Sequence, residues 1–208
     1  MSRFLVALAG FVSSFLVPLT SFAQQADAPV YKDGDWWRIK LEVARPTGVS
    51  VAGPQLGGFP EYRVQINSGK ATVFGIRAEE TKELDAPTIV SLVLGKPGWR
   101  GELLRFPMRV GLTWTERFQF QPRGAQARWE EGRYEVQAWE KIKTPKGELD
   151  AFKIVMIMNA PTGPKGKGTA ARTSTYYYTP EIKAIVSFRE EGTEAALTST
   201  LVEFNVSR

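Results

Sequence analysis

Apolar and polar residues alternate with a period of two along most of this chain, and the long 3.6-period stripes of amphipathic helices are absent. Trp37, Ile39, Leu41 and Val43 interleave with Trp36, Arg38, Lys40 and Glu42, the pattern of a strand with one buried face. Tyr62, Val64 and Ile66 repeat it, and Asn67-Ser68-Gly69-Lys70 then supplies a hairpin turn into Thr72, Phe74 and Ile76. The same reading predicts strands over 88–94, 99–106, 113–120, 133–142, 151–158, 174–178, 184–189 and 196–206. Gly95-Lys96-Pro97-Gly98, Gln121-Pro122-Arg123-Gly124 and Thr144-Pro145-Lys146-Gly147 carry the glycine and proline that turns require. The one candidate helix is short, residues 78–85, where Glu79, Glu80 and Glu83 sit beside Lys82. These elements predict an all-β fold, an antiparallel meander forming a strongly curved sheet or a barrel.

Two short patterns recur in the same order. Gly34-Asp35-Trp36-Trp37 and Gly111-Leu112-Thr113-Trp114 share Gly-x-x-Trp, and Tyr62-Arg63-Val64-Gln65 and Tyr134-Glu135-Val136-Gln137 share Tyr-x-Val-Gln. Either two related halves or chance repetition of common strand residues accounts for them.

Before the first strand, residues 1–23 have the form of a secretion signal. Arg3 gives a positive start, 4–19 is apolar, and Ser21-Phe22-Ala23 places small residues at the cleavage position. Gly10, Ser13, Ser14 and Pro18 interrupt the run and Gln24-Gln25 follow it, which favours a removed leader over a membrane anchor. Cleavage after Ala23 leaves 185 residues (208 − 23), long enough to bury a core without disulfides. Residues 24–29 are expected to be a flexible lead-in and 30–208 one β domain, with 47–58 and 160–173 also among the least ordered stretches. No later segment approaches the ~20 continuous apolar residues of a membrane span.

Composition narrows the chemistry. The chain has neither histidine nor cysteine, so imidazole bases, histidine-ligated metals, thiol nucleophiles and a lipid-anchoring cysteine are excluded. Charge is mild: 27 basic and 22 acidic residues are interspersed along the chain, which speaks against a nucleic-acid track. Gly163-Pro164-Lys165-Gly166-Lys167-Gly168-Thr169 has the glycines of a phosphate loop without its Gly-Lys-Ser/Thr ending or a following helix. It reads as a basic hairpin loop in which Lys165, Lys167 and Arg172 would meet an anionic partner. Carboxylate pairs are the remaining route to acid–base catalysis, but Glu130-Glu131 and Glu190-Glu191 sit in or beside turns, where charge is ordinarily just solvated. Glu116 shares a strand face with Trp114, Phe118 and Phe120, and burial there would call for an arginine partner. No Gly-x-Ser-x-Gly or Ser-x-x-Lys motif supports a serine nucleophile.

The six tryptophans and Tyr176-Tyr177-Tyr178 are the strongest positive signal. They serve either as core packing or as the lining of a concave, apolar binding face, for which Trp37, Trp114, Tyr176 and Tyr178 are the candidates.

Three segments resemble a family of exported bacterial β proteins catalogued as a domain of unknown function. They are Phe106-Pro107-Met108-Arg109-Val110-Gly111-Leu112-Thr113-Trp114, then residues 139–154 around Thr144-Pro145-Lys146-Gly147-Glu148-Leu149-Asp150-Ala151-Phe152, then residues 176–186, Tyr176-Tyr177-Tyr178-Thr179-Pro180-Glu181-Ile182-Lys183-Ala184-Ile185-Val186. In that family a small residue stands at the position of Lys146 and a glycine at that of Ile182. The resemblance implies an envelope-associated β fold similar to curved-sheet lipoprotein carriers, with no established reaction. The resulting expectation is a periplasmic or secreted, non-catalytic binding or accessory protein, without metal or cofactor, whose concave face takes a lipid, another apolar ligand or an extended partner segment. An envelope protein–protein interaction module and a carboxylate-dependent glycan hydrolase are the other readings. Nucleic acid is not an expected partner.

Overall fold

Where hydrophobic and polar residues alternate, the chain nearly always forms strand. The computed structural model describes residues 24–44, 59–96, 102–120, 128–158, 172–191 and 196–207. Residues 1–23, the 121–124 connector and the stretches 47–58 and 160–171, with Lys165 and Lys167, lie outside the described residues. The elements run β1 (Gln25–Ala26), β2 (Trp36–Ala44), β3 (Glu61–Asn67), β4 (Lys70–Arg77), β5 (Glu80–Leu84), α1 (Pro87–Leu94), β6 (Met108–Arg109) and β7 (Thr113–Phe120). They continue with β8 (Arg128–Thr144), β9 (Gly147–Met158), β10 (Arg172–Thr179), β11 (Ala184–Glu191) and β12 (Ala196–Asn205).

Ten strands form one antiparallel sheet in the order β5-β4-β3-β2-β12-β11-β10-β9-β8-β7, and β1 pairs separately with β6. From β2 to β5 and from β7 to β12 chain neighbours are sheet neighbours, and β12 returns to pair with β2 and so joins the two runs. The outer strands are β5 and β7, and no pairing joins them among the described residues.

Curvature follows from what α1 touches. Two strands, β2 and β12, separate β3 from β11, which sets them ~14 Å apart along the sheet at the usual ~4.8 Å spacing. The helix α1 contacts β3, β4 and β11 together, and β12 contacts β8, which lies four strands and ~19 Å away along a flat sheet. The sheet therefore curls around the helix. Bulges between Val136 and Ala138, Tyr177 and Tyr178, and Leu201 and Glu203 supply local bends.

Two connectors depart from the sequence reading. Residues 88–94, expected as a strand because of Ile89, Val90 and Val93, form α1. Its boundaries carry helix signals that outweigh weak strand propensity: Pro87 opens the first turn, and Gly95 closes the helix in the left-handed region with its N–H donating to Ser91 O at 2.9 Å. Conversely, 78–85, expected as a helix, is a tight turn at Ala78-Glu79 followed by β5. No strand covers 102–106. In the lead-in expected to be flexible, Gln25 and Ala26 pair with Arg109 and Met108, and Ala26 is buried.

The repeated Gly-x-x-Trp pattern has a structural counterpart. Gly34 and Gly111 both adopt positive φ, 90° and 85°, which glycine tolerates without steric cost. Gly34 N–H donates to Ile66 O and Ile66 N–H to Asp35 O, just as Gly111 N–H donates to Val136 O and Val136 N–H to Leu112 O. Trp37 then lies opposite Val64 and Trp114 opposite Tyr134. The Tyr-x-Val-Gln match is therefore two residues out of step, since Val64 and not Tyr62 takes the place of Tyr134.

Candidate functional site

The inner face of the sheet carries the candidate aromatics, and all four are interior. Trp37, Tyr176 and Tyr178 have no exposed surface and Trp114 retains 5%. Trp114 stacks on Tyr134 with centroids 4.9 Å apart and rings 4° from parallel, while its indole N–H donates to Glu102 O at 3.3 Å. Tyr176 leans on Phe188 at 4.9 Å, and Tyr178 meets the edge of Phe106 at 5.5 Å. These rings belong to one cluster with Met156, Met158 and Phe152. Trp37 belongs to a second cluster with Ile39, Val64, Ile66 and Leu201, where its indole N–H donates to Ile182 O at 2.7 Å. The structure thus brings three of the four together and places Trp37 in the neighbouring pack.

What closes this face is the chain itself. Leu92 of α1 enters the first cluster, whereas Ile89, Val93 and Leu94 enter the second, so one short helix spans both. Leu103, Leu104 and Met108 extend the cover over the first cluster. The Tyr31 hydroxyl donates to Leu94 O at 3.3 Å, and the Tyr31 ring meets Trp37 edge-on at 5.7 Å. The sequence reading missed this cover, although Pro87 and Gly95 were signals that could have found it.

Polarity beneath the cover is incompletely matched. The hydroxyls of Ser91, Tyr178 and Thr179 are buried without a hydrogen-bond partner among the described residues. Burial pushes the Tyr178 phenol well above its ordinary range, and burial together with Tyr178 and Asp35 does the same to Tyr31.

Asp35 is the one buried carboxylate among the described residues, and sequence reasoning did not single it out. Its Oδ1 accepts from Ser207 N at 2.7 Å and Ser207 Oγ at 2.8 Å, and its Oδ2 from Lys32 N at 3.0 Å and Lys183 Nζ at 3.3 Å. Burial alone would raise its pKa, but these donors outweigh it and hold the carboxyl below the ordinary value. Lys183 Nζ also donates to Ser207 O at 2.9 Å. The cluster is a latch joining the start of β2, the β10–β11 turn and the C-terminal segment, and no local sequence signal announces partners so far apart.

The remaining candidates lie apart. Arg172 opens β10 on a half-buried site. Glu116 is half-buried opposite Gly132, and no ion pair engages it among the described residues. No group of three carboxylates converges to hold a metal among the described residues. An open recess of about 560 Å3 lies elsewhere, where the start of β4, the end of β5 and the first turn of α1 meet.

These features define an all-β protein, a single antiparallel sheet curled about its own helix. No protein-family model matches the chain, and no curated protein does. Among solved structures it is similar to a Bacteroides fragilis protein described as exported, with a YmcC-like fold, at 12% identity and a TM-score of 0.36 over 86% of this chain and 99% of that one. A superposition that loose transfers nothing about function or location.

Proposed function

We propose that this chain is a non-catalytic binding protein of the bacterial envelope that holds an apolar ligand on the inner face of its sheet, in the space taken by α1 and residues 102–109. The leader-like 1–23 segment supports an exported location. The observation that carries the binding reading is the cover. An eight-residue helix is too short to be stable by itself, so α1 depends on burying Ile89, Leu92, Val93 and Leu94 against the sheet. An apolar ligand offers that face the same burial.

The buried hydroxyls refine the ligand class. Each unpartnered hydroxyl costs about 1–3 kcal/mol in the closed state, a cost that a ligand oxygen near Tyr178 or Thr179 would relieve. An acyl chain adds ~0.8 kcal/mol per buried methylene, so offsetting the ~6–12 kcal/mol of the four buried α1 side chains takes roughly 8–15 buried carbons, a long-chain acyl group. A fatty acid or acyl ester meets both demands. Catalysis draws no support from Asp35, whose oxygens are already engaged by four donors.

Titration with oleic acid below its micellar concentration, followed by tryptophan emission, tests this reading. The expected result is a saturable spectral shift, because Trp114 and Trp37 lie in the two clusters that α1 bridges. No saturable change with oleic acid or a lysophospholipid overturns it.

A further inference from the structure

The outer edge of β5 presents a backbone that nothing pairs among the described residues. Only Ala78 and Glu79 separate Arg77 of β4 from its partner Glu80. In such two-residue hairpins the flanking pair exchanges both backbone hydrogen bonds and the pattern then alternates. Glu80, Lys82 and Leu84 therefore turn their N–H and C=O groups toward β4, and Thr81 and Glu83 turn theirs to the open side. All of β5 is exposed except Leu84, which is half-buried.

Directly beside this edge lies the open recess of about 560 Å3. Val73, Leu84, Pro87 and Val90 give it an apolar wall, and Glu83 and Asp85 add carboxylates. The local charge opposes that of the molecule. Glu79, Glu80, Glu83 and Asp85 stand against Lys82, in a chain with a net charge of +5. None of these four acids is ion-paired among the described residues.

We infer that this edge docks an extended segment of another protein in which basic and apolar residues alternate. The segment adds a strand to β5 through the backbone of Thr81 and Glu83, seats an apolar side chain in the recess against Leu84 and Val90, and meets Glu83 and Asp85 with lysine or arginine. Charge complementarity selects the basic partner over an acidic one. Two residues of the recess wall, Pro87 and Val90, belong to α1, so the peptide is titrated without fatty acid and the two readings are told apart by their separate probes.

Fluorescence anisotropy of a labelled peptide of alternating lysine and valine, titrated with the mature protein, tests the assignment. Saturable binding is expected, weakening as salt is raised, with no binding of the matching glutamate–valine peptide. Thr81→Pro removes an outward N–H from an edge position while leaving the β4 pairing intact, and weakens binding about tenfold or more. Because that variant alters the protein, the same loss is also required of a peptide N-methylated at alternate residues against the unaltered chain. Glu83→Lys reduces binding further at low salt. Absence of saturable binding, equal affinity for the acidic peptide, or indifference to N-methylation overturns the inference, whatever the outcome of the oleic acid titration.

Discussion

Replacing Asp35 with alanine tests whether the latch holds the two ends of the chain on the sheet. The substitution removes the acceptor for four donors: the backbone N–H groups of Lys32 and Ser207, the Ser207 hydroxyl and the Lys183 ammonium. Breaking a buried pair by deleting one partner costs about 3–5 kcal/mol. The lower end applies, because the Lys183 side chain keeps 15% of its surface in water and retains Ser207 O as an acceptor. A loss of about 3 kcal/mol lowers the melting temperature by about 6–12 °C for a chain of this size. Thermal unfolding of residues 24–208 followed by circular dichroism at pH 7 measures it. Acid adds an independent arm. The folded carboxyl titrates below its ordinary value, so the unfolded chain takes up the proton first. The stabilisation is complete above about pH 4 and is lost as pH falls from there through the folded value. Asp35→Asn turns an amide donor toward donors, is destabilised at pH 7, and converges with wild type as the pH falls. A melting temperature within about 2 °C of wild type at pH 7, or a gap that persists undiminished in acid, refutes the latch.

Four further outcomes are expected. Gly95→Ala places a Cβ against Leu104 at a φ of 63°, so it costs about 2–3 kcal/mol by urea denaturation; a near-neutral result shows that Leu104 does not seat on the helix end. Tyr178→Phe deletes a buried hydroxyl without a partner among the described residues, and the same assay returns a change within about 0.5 kcal/mol or a gain, whereas a loss above about 1.5 kcal/mol reveals a partner. Trp37→Phe strands Ile182 O and opens a gap, costing about 2–4 kcal/mol, while Trp129→Ala, at a residue 63% exposed, stays within about 0.5 kcal/mol.

Much of the sheet was legible because each strand needs only its own alternation to declare one buried face. Residues 113–120 became β7 without a shift in boundary, and Tyr176 and Tyr178 point inward while Tyr177 is half-buried. The turn at Ser68-Gly69 was equally local, since both residues adopt positive φ. The errors fell at 78–94, where short segments gave conflicting cues, at 102–106, which is not strand, and in the lead-in, where Gln25 and Ala26 pair with β6. Thr81 and Leu84 pair with β4 despite a charge pattern suited to a helical turn, and Ile89 to Leu94 became a helix because an inner face was there to receive it.

By itself the sequence established a β-rich chain with a leader-like start, free of imidazole and thiol chemistry, whose large rings sit on strands. Which rings meet was beyond it. Trp114 reaches Tyr134 across a strand pair, Trp37 finds Ile182 in a distant turn, and Asp35 is satisfied by Ser207 near the far end of the chain. Alternation states that a face is buried but not what buries it; the partner is chosen by curvature and by strand order, both of which arise only when β12 closes against β2 and the sheet wraps the helix.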